Sequence, residues 1–219
     1  MHSSMMILAS GSPRRRELLA LTGWDYSVQP VDLDERPLPG ELPRLHVLRL
    51  AEQKTLAAAR RQPGGVVLGS DTIVVDHDEI LGKPRDASDA RRMLMQLRGR
   101  EHLVLTAIGV FDPQTEQVLL DLCSTQVPMR AYTEDEVEKY IASGDPLDKA
   151  GAYAIQHPGF HPVDGLDGCY ASVMGLPLCH VSRTCRKIGL TTDPNMPQRC
   201  QQALGYSCPV YRAVLAGEV

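Results

Sequence analysis

The sequence predicts a mixed α/β fold, in which helices flank a mixed sheet, on three observations. Stretches typical of strands and of helices intermix along the chain. The 219 residues are 43% hydrophobic, so they can bury a substantial core in one large domain or two closely joined lobes. Neither an internal repeat nor a low-complexity segment is visible. Together these features place the chain in the mixed α/β class.

Short apolar or extended stretches predict the strands. They cover residues 5–9, 25–31, 66–68, 73–75, 80–81, 103–111 and 118–129. Residues 69–72 (Gly-Ser-Asp-Thr) are predicted to interrupt or kink the strand that would otherwise join 66–68 to 73–75. The last two stretches are connected by a turn at Asp112-Pro113, so they predict a hairpin.

Start and stop residues delimit the predicted helices. Ser12 suits an N-cap and Pro13 the first helical position. Thr133 and Glu136 have the spacing of a capping box. The predicted helices cover residues 13–21, 45–60, 88–97, 134–141 and 177–188. Residues 149–156 are rich in small side chains and predicted extended, and the chain from Thr191 onward shows no strong periodicity.

Charge and composition exclude several classes of function. The formal net charge is −4 and aromatic residues make up 5%, which argues against a nucleic-acid-binding surface. A phosphate ligand would therefore need a local cluster of basic side chains. No apolar run is long enough to span a bilayer, and in the first 16 residues the basic side chains follow the short apolar run, unlike a signal peptide. We expect a cytoplasmic protein without a membrane partner.

Six cysteines occur in the sequence, and none forms a C-x-x-C pair. In a cytoplasmic protein they are expected to be reduced thiols. Cys185, Cys200 and Cys208 lie in the last part of the chain, where a disulfide or a zinc clip is the alternative.

The segment Ser10-Gly11-Ser12-Pro13-Arg14-Arg15 joins the first strand to the first helix. A helix N-terminus presents unpaired N–H groups and partial positive charge, and the serines add hydroxyl donors. Arginines there oppose the helix dipole, which makes sense if an anion binds at the same place. The segment lacks the spacing of a P-loop. The alternative is a capped helix with a solvated basic face.

Two acids and two lysines are further candidates. Asp71 lies in the segment Gly69-Ser70-Asp71-Thr72 at the end of an apolar strand. It suits a metal ligand or a base for water, although a turn-capping aspartate is the simpler interpretation. Glu35, in the loop before the second helix, could share a metal with it. Lys83 is held between Gly82 and Pro84, and Lys54 lies on the second helix. Each could contact phosphate, or simply face solvent.

The ordered set of motifs is more specific than any one of them. The segments ASGSPRRRELL, DE, RLAEQK, GSDTIV, LGKP, YIASGDPLDKAGAYAIQ and GLPL resemble the Maf family of nucleotide pyrophosphatases, over nearly all of residues 5–188. The resemblance implies a fold like that of inosine triphosphate pyrophosphatases, with two lobes around a cleft. It implies a divalent metal, Mg²⁺ or Mn²⁺, and release of pyrophosphate. It is also compatible with a homodimer.

The resemblance also assigns roles to single residues. Asp71 corresponds to the family's catalytic acid, and Glu35 to an acidic position near the metal. The phosphate-cleft positions correspond to Ser10, Ser12, Arg14, Arg15, Lys54 and Lys83. The positions that set base choice in the branch acting on dTTP and UTP correspond to Arg15, Thr72 and Gln156. The loop after Gln156, HPGFHPVDGLDG, departs from the family pattern.

The predicted organisation is a Maf-like domain over residues 1–190 and a C-terminal extension over 191–219, to which no role is assigned. The predicted function is metal-dependent hydrolysis of a nucleoside triphosphate, dTTP or UTP, to the monophosphate and pyrophosphate. A non-catalytic nucleotide-binding regulator of cell division is the alternative, and it would not need Asp71. A phosphatase or kinase would release orthophosphate or transfer a phosphoryl group instead.

Overall fold

The computed structural model describes residues 5–218. Within this range the strands are β1 (Met6–Leu8), β2 (Tyr26–Val28), β3 (Val67–Asp76), β4 (Glu79–Leu81), β5 (Glu101–Asp112) and β6 (Gln117–Pro128). The α-helices are α1 (Pro13–Ala20), α2 (Pro43–Arg61), α3 (Ala87–Leu97), α4 (Glu134–Ala142), α5 (Tyr170–Met174), α6 (Leu178–Arg186), α7 (Met196–Leu204) and α8 (Tyr211–Ala216). Two 3-10 helices, Asp145–Asp148 and Ala150–Ala152, follow α4.

The strands form one open, mixed sheet in the order β2-β1-β3-β5-β6, with β4 paired to part of β3. β1 is parallel to both β2 and β3, whereas β5 is antiparallel to β3 and to β6. Helices flank this sheet, so the predicted mixed α/β class is confirmed. β3 extends beyond its pairing with β1, which ends at Leu68. Asp71 and Thr72 therefore lie near the loop that follows β1.

Helix α2 packs very close to the sheet, because two glycines leave room for it. A Cβ atom at Gly69 would lie 2.2 Å from the Thr55 hydroxyl, and one at Gly109 would lie 2.6 Å from it. These glycines face each other across β3 and β5. The Thr55 hydroxyl donates to the Ala51 carbonyl at 2.7 Å and lies 3.1 Å from the Gly109 carbonyl. This close contact brings the side chains of α2 next to those of β3.

The main apolar core joins the sheet to α1, α3 and α6. Leu8 of β1 and Val104 of β5 are buried there with Leu18, Leu94 and Val181 from those helices. Two smaller clusters lie under α2 and contain Val47, Ala51 and Ala58. Within residues 5–218, no helix has both the length and the apolar composition needed to cross a membrane.

Two local predictions are wrong. Residues 69–72 do not interrupt a strand, since β3 runs continuously and pairs with β5 through Asp71 and Thr72. Gly69 is there for helix packing, not as a break. Residues 149–156 are not extended throughout, because the chain turns at Gly151 and Ala152, both with positive φ. A Cβ at Gly151 would lie 2.9 Å from the Val74 side chain, so this turn packs directly against β3.

The structure describes residues 191–218 of the C-terminal extension, and these residues are folded. Its α7 and α8 contribute buried Met196 and Val214, and its Asp193 amide donates to the Thr22 carbonyl. All six cysteines are free thiols, so the alternative of a disulfide in this extension is wrong. The predicted domain division stays a prediction, and residues 1–4 and 219 lie outside the described range.

Candidate functional site

A cleft of about 800 Å³ lies where the loop after β1, the middle of β3 and the turn at 145–156 meet. Every residue predicted for the site lines this cleft: Ser10, Ser12, Arg14, Arg15, Glu35, Lys54, Asp71, Thr72, Lys83 and Gln156. The individual roles of these residues stay predictions. Their common location shows that positions spread over 147 residues of sequence converge on one surface.

The loop between β1 and α1 presents a helix N-terminus to the cleft. The Ser12 hydroxyl caps α1 by accepting from the Arg15 amide at 3.5 Å, and Pro13 occupies the first turn. The Ser10 hydroxyl accepts from the Ser12 amide at 3.3 Å. Arg14 is half-buried and lies beside these groups. The predicted N-cap is confirmed, and an anion in the cleft would meet hydroxyl, amide and guanidinium donors together.

Lys54 of α2 joins the two acids of the cleft. Its ammonium lies 2.6 Å from a carboxylate oxygen of Asp71 and 2.6 Å from one of Glu35. Lys54 and Asp71 are buried, whereas the Glu35 side chain is 47% exposed. Burial acts to raise the pKa of Glu35, but the hydrogen bond and charge of Lys54 outweigh it and the net shift is downward. Both acids therefore face one shared cation.

Arg15 is fixed by three groups from separate parts of the chain. Its Nε donates to the Gly175 carbonyl at 2.9 Å, one terminal nitrogen donates to Thr72 at 3.2 Å, and the other donates to Ser10 at 3.2 Å. Burial lowers the pKa of Arg15, against the opposing effect of the Asp71 charge. Arg15 is thus a rigid donor on the wall of the cleft.

Gly175 is a structural partner of this site that we did not predict from sequence. Its φ of 111° is unfavourable for other residues, and a Cβ there would lie 3.2 Å from the Arg15 Nε. Its carbonyl also accepts from the buried Ser70 hydroxyl at 2.9 Å. The glycine that begins the GLPL motif is the only sequence signal for this position.

Lys83 and Gln156 are exposed where they line the cleft, in keeping with contacts to a ligand that enters from solvent. A further cleft cation, Lys149, was not predicted. Its ammonium lies 3.0 Å from Asp145 and 2.6 Å from Asp148, so its charge is balanced by local acids. Lys149 therefore differs from Lys83, for which no ion pair within residues 5–218 is found.

Asp71 and Glu35 supply the kind of oxygen ligands that Mg²⁺ and Mn²⁺ prefer, so the residues present fit the implied metal. Among residues 5–218, no group of three or more His, Cys, Asp or Glu side chains is arranged to hold a metal ion. Mg²⁺ is commonly bound by one or two carboxylates together with substrate phosphates. The cleft thus fits a metal that arrives with an anionic ligand better than a metal bound by protein alone.

Comparisons with known proteins point to one family. A family model described as "Maf-like protein" matches residues 5–188. A dTTP/UTP pyrophosphatase from Citrifermentans bemidjiense is 47% identical over 189 residues, which cover 86% of this chain and 98% of that protein. A protein of the same name from Anaeromyxobacter dehalogenans is 48% identical over 186 residues, covering 84% of this chain and 94% of the relative. The residues matched by the family model include every predicted site residue.

Proposed function

Because this chain belongs to the Maf-like protein family, we propose that it hydrolyses nucleoside triphosphates to the monophosphate and pyrophosphate. The names of its relatives, dTTP/UTP pyrophosphatases at 47–48% identity, support dTTP and UTP as the substrates. The structural observation behind the proposal is the buried Asp71 carboxylate, which lies in a cleft also lined by Arg14, Arg15 and Lys83. A carboxylate beside several phosphate-binding donors suits hydrolysis of a phosphoanhydride.

The phosphates would lie against the start of α1 and the basic side chains. Ser10, Ser12 and Arg14 offer donors at the helix N-terminus, where the helix dipole favours negative charge. Lys83 approaches from the loop after β4. These groups neutralise a polyanion locally although the whole chain has a net charge of −4.

Asp71 is the proposed base. Its carboxylate would accept the proton of a water molecule that attacks the α-phosphorus, so that the bond to the β-phosphate oxygen breaks and pyrophosphate leaves. Lys54 holds this carboxylate at 2.6 Å and orients it. A divalent metal held by Asp71 and Glu35 would neutralise charge on the phosphate oxygens when bound. Within residues 5–218 we find no Ser–His or Cys–His pair in the cleft, in keeping with direct attack by water.

The base is proposed to bind beside Arg15, Thr72 and Gln156. Arg15 and Thr72 are joined by a hydrogen bond of 3.2 Å, and Gln156 lines the same cleft from the turn that follows the second 3-10 helix. An amide such as that of Gln156 can both donate and accept, as recognition of a pyrimidine edge requires. Cytoplasmic location, a homodimer and the absence of a nucleic-acid partner belong to the same proposal, and size-exclusion chromatography with light scattering tests the dimer.

A product assay tests the reaction. The protein is incubated with dTTP, UTP, CTP, GTP, 7-methyl-GTP and ATP in the presence of Mg²⁺ or Mn²⁺, and monophosphate and pyrophosphate are separated by chromatography. We expect pyrophosphate from dTTP and UTP, and its loss in Asp71→Asn. Asp76→Asn is the matched control, because Asp76 is a buried acid of the same strand that does not line the cleft. Orthophosphate as the first product, or full activity in Asp71→Asn, would refute the proposal.

A further inference from the structure

Thr106 lies behind the proposed base site and does not line the cleft. It is fully buried on β5, directly opposite Thr72 of β3. Its hydroxyl lies 2.8 Å from the Ser172 carbonyl and 3.0 Å from the Thr72 hydroxyl. Thr106 therefore connects the cleft residue Thr72 to the backbone of α5.

The contacts among Thr72, Thr106 and the Ser172 carbonyl are consistent with a single placement of the two hydroxyl protons. A carbonyl only accepts, so the contact with Ser172 uses the single proton of the Thr106 hydroxyl. The Thr106 oxygen must then accept from Thr72, which uses the single proton of the Thr72 hydroxyl. The Ser172 carbonyl also accepts from the Gly175 amide at 2.8 Å. The opposite arrangement would nevertheless place lone pairs of the Thr106 oxygen and of this carbonyl oxygen against each other at 2.8 Å with no proton between them, which is a repulsive contact.

The contact between Arg15 and Thr72 agrees with this placement of the protons. One of its terminal nitrogens donates to the Thr72 oxygen at 3.2 Å, which requires a lone pair on Thr72. With its proton directed to Thr106, Thr72 has only a remaining lone pair to present to a ligand. The cleft wall thus offers an N–H donor from Arg15 and an acceptor from Thr72, side by side.

We propose that Thr106 is a positioning residue that makes the Thr72 hydroxyl an acceptor toward the nucleobase, and thereby favours uracil and thymine over cytosine. Uracil and thymine carry a ring N3–H donor beside a carbonyl acceptor, which matches the adjacent acceptor of Thr72 and donor of Arg15. Cytosine in the same position has an unprotonated N3, so two lone pairs would face each other. The inference rests on the proposed function, in which Thr72 contacts the base.

The test compares kcat/KM for UTP and CTP in three variants, measured by pyrophosphate release. Thr106→Val removes the acceptor while keeping the shape, so the Thr72 proton is released and can serve cytosine. We expect the CTP-to-UTP ratio of kcat/KM to rise about tenfold. Thr106→Ser keeps the hydroxyl and should retain the wild-type ratio. Thr125→Val is the matched control, because Thr125 is a buried threonine of β6 that does not line the cleft.

An unchanged ratio in a folded, active Thr106→Val protein would overturn the inference, as would an equal change in Thr125→Val. If Thr106→Val does not fold, wild-type protein is assayed with N3-methyl-UTP, which lacks the N3 proton. Turnover of this analogue as efficient as that of UTP would also overturn the inference. Absence of pyrophosphate from any nucleotide would instead refute the proposed function, and calorimetric binding of UTP against CTP would then test the base preference alone.

Discussion

The ammonium of Lys54 lies 2.6 Å from Asp71 and 2.6 Å from Glu35, so one cation holds two acids that come from different elements. Asp71 is on β3 and Glu35 is in the loop before α2. The close packing of α2 on Gly69 and Gly109 brings Lys54 to this point. Two carboxylates near one another repel, and a shared cation removes that repulsion.

Lys54→Met is expected to lower both stability and activity. The buried Asp71 would lose its charge partner, which costs about 3 kcal/mol of unfolding free energy when a buried ion pair is broken from one side. Urea denaturation measures this loss, and Asp71→Asn added to Lys54→Met should recover part of it. Lys139→Met, at an exposed site on α4, is the control and should leave stability unchanged. Equal stability of Lys54→Met and the wild type would show that the ion pair contributes nothing.

We expect pyrophosphate release to require a divalent metal, and we expect Glu35 to contribute to binding that metal. Removal of divalent ions with EDTA should abolish pyrophosphate release, and Mg²⁺ or Mn²⁺ should restore it. In Glu35→Gln the concentration of Mg²⁺ that gives half-maximal rate is expected to rise about tenfold, since one charged ligand is lost. Asp34→Asn is the control, because the exposed Asp34 pairs with Arg36 and does not line the cleft. An identical Mg²⁺ dependence in Glu35→Gln would remove Glu35 from the metal site.

Gly175→Ala is expected to impair substrate binding more than folding. A positive φ of 111° costs an alanine about 1 kcal/mol or more, and its Cβ would press on Arg15 at 3.2 Å. Because Arg15 is held by the Gly175 carbonyl, its displacement should raise KM for UTP about tenfold with a smaller change in kcat. Steady-state kinetics measure the two constants. Gly165→Ala, also at a positive φ but with open space around it, is the control for backbone strain alone. Equal effects of the two alanines on KM would contradict this role of Gly175.

Local features such as helix caps could be predicted from residue patterns, because they depend only on residues that are close in sequence. The N-cap at Ser12 and the capping box of Thr133 and Glu136 are present as expected, because each depends on residues within four consecutive positions. The kink expected at residues 69–72 is wrong because Gly69 is selected by contact with α2, which no local pattern reveals. The extension helices α7 and α8 are only nine and six residues long, so they depend on tertiary packing for their stability.

The same distinction applies to the site. Ordered motifs were enough to predict which side chains meet in the cleft, but not their partners. The bridge from Lys54 to two acids depends on the packing of α2, and Thr106 looks like any threonine in a strand. Contacts of this kind join residues 17 to 66 positions apart, and only the three-dimensional structure specifies them.

The unfolding free energy is expected to decrease at acidic pH because of the buried His102. This side chain is 4% exposed, and burial lowers its pKa from 6.5 to about 4, although the charge of Asp76 acts in the opposite direction. Between pH 6.5 and 4 the unfolded chain binds a proton at this site and the folded chain does not, so the unfolding free energy decreases as pH falls.

The shift from 6.5 to about 4 corresponds to about 3 kcal/mol lost between pH 7 and pH 4. His102→Gln removes the titrating group but keeps a side chain that can reach the Tyr153 hydroxyl, which lies 2.8 Å from the imidazole. Between pH 7 and pH 4 the unfolding free energy of His102→Gln should therefore decrease by about 3 kcal/mol less than that of the wild type. Urea denaturation at a series of pH values measures the difference, with His161→Asn as the control at an exposed position that tolerates asparagine at positive φ. Parallel stability curves for His102→Gln and the wild type would mean that another group is responsible for acid unfolding.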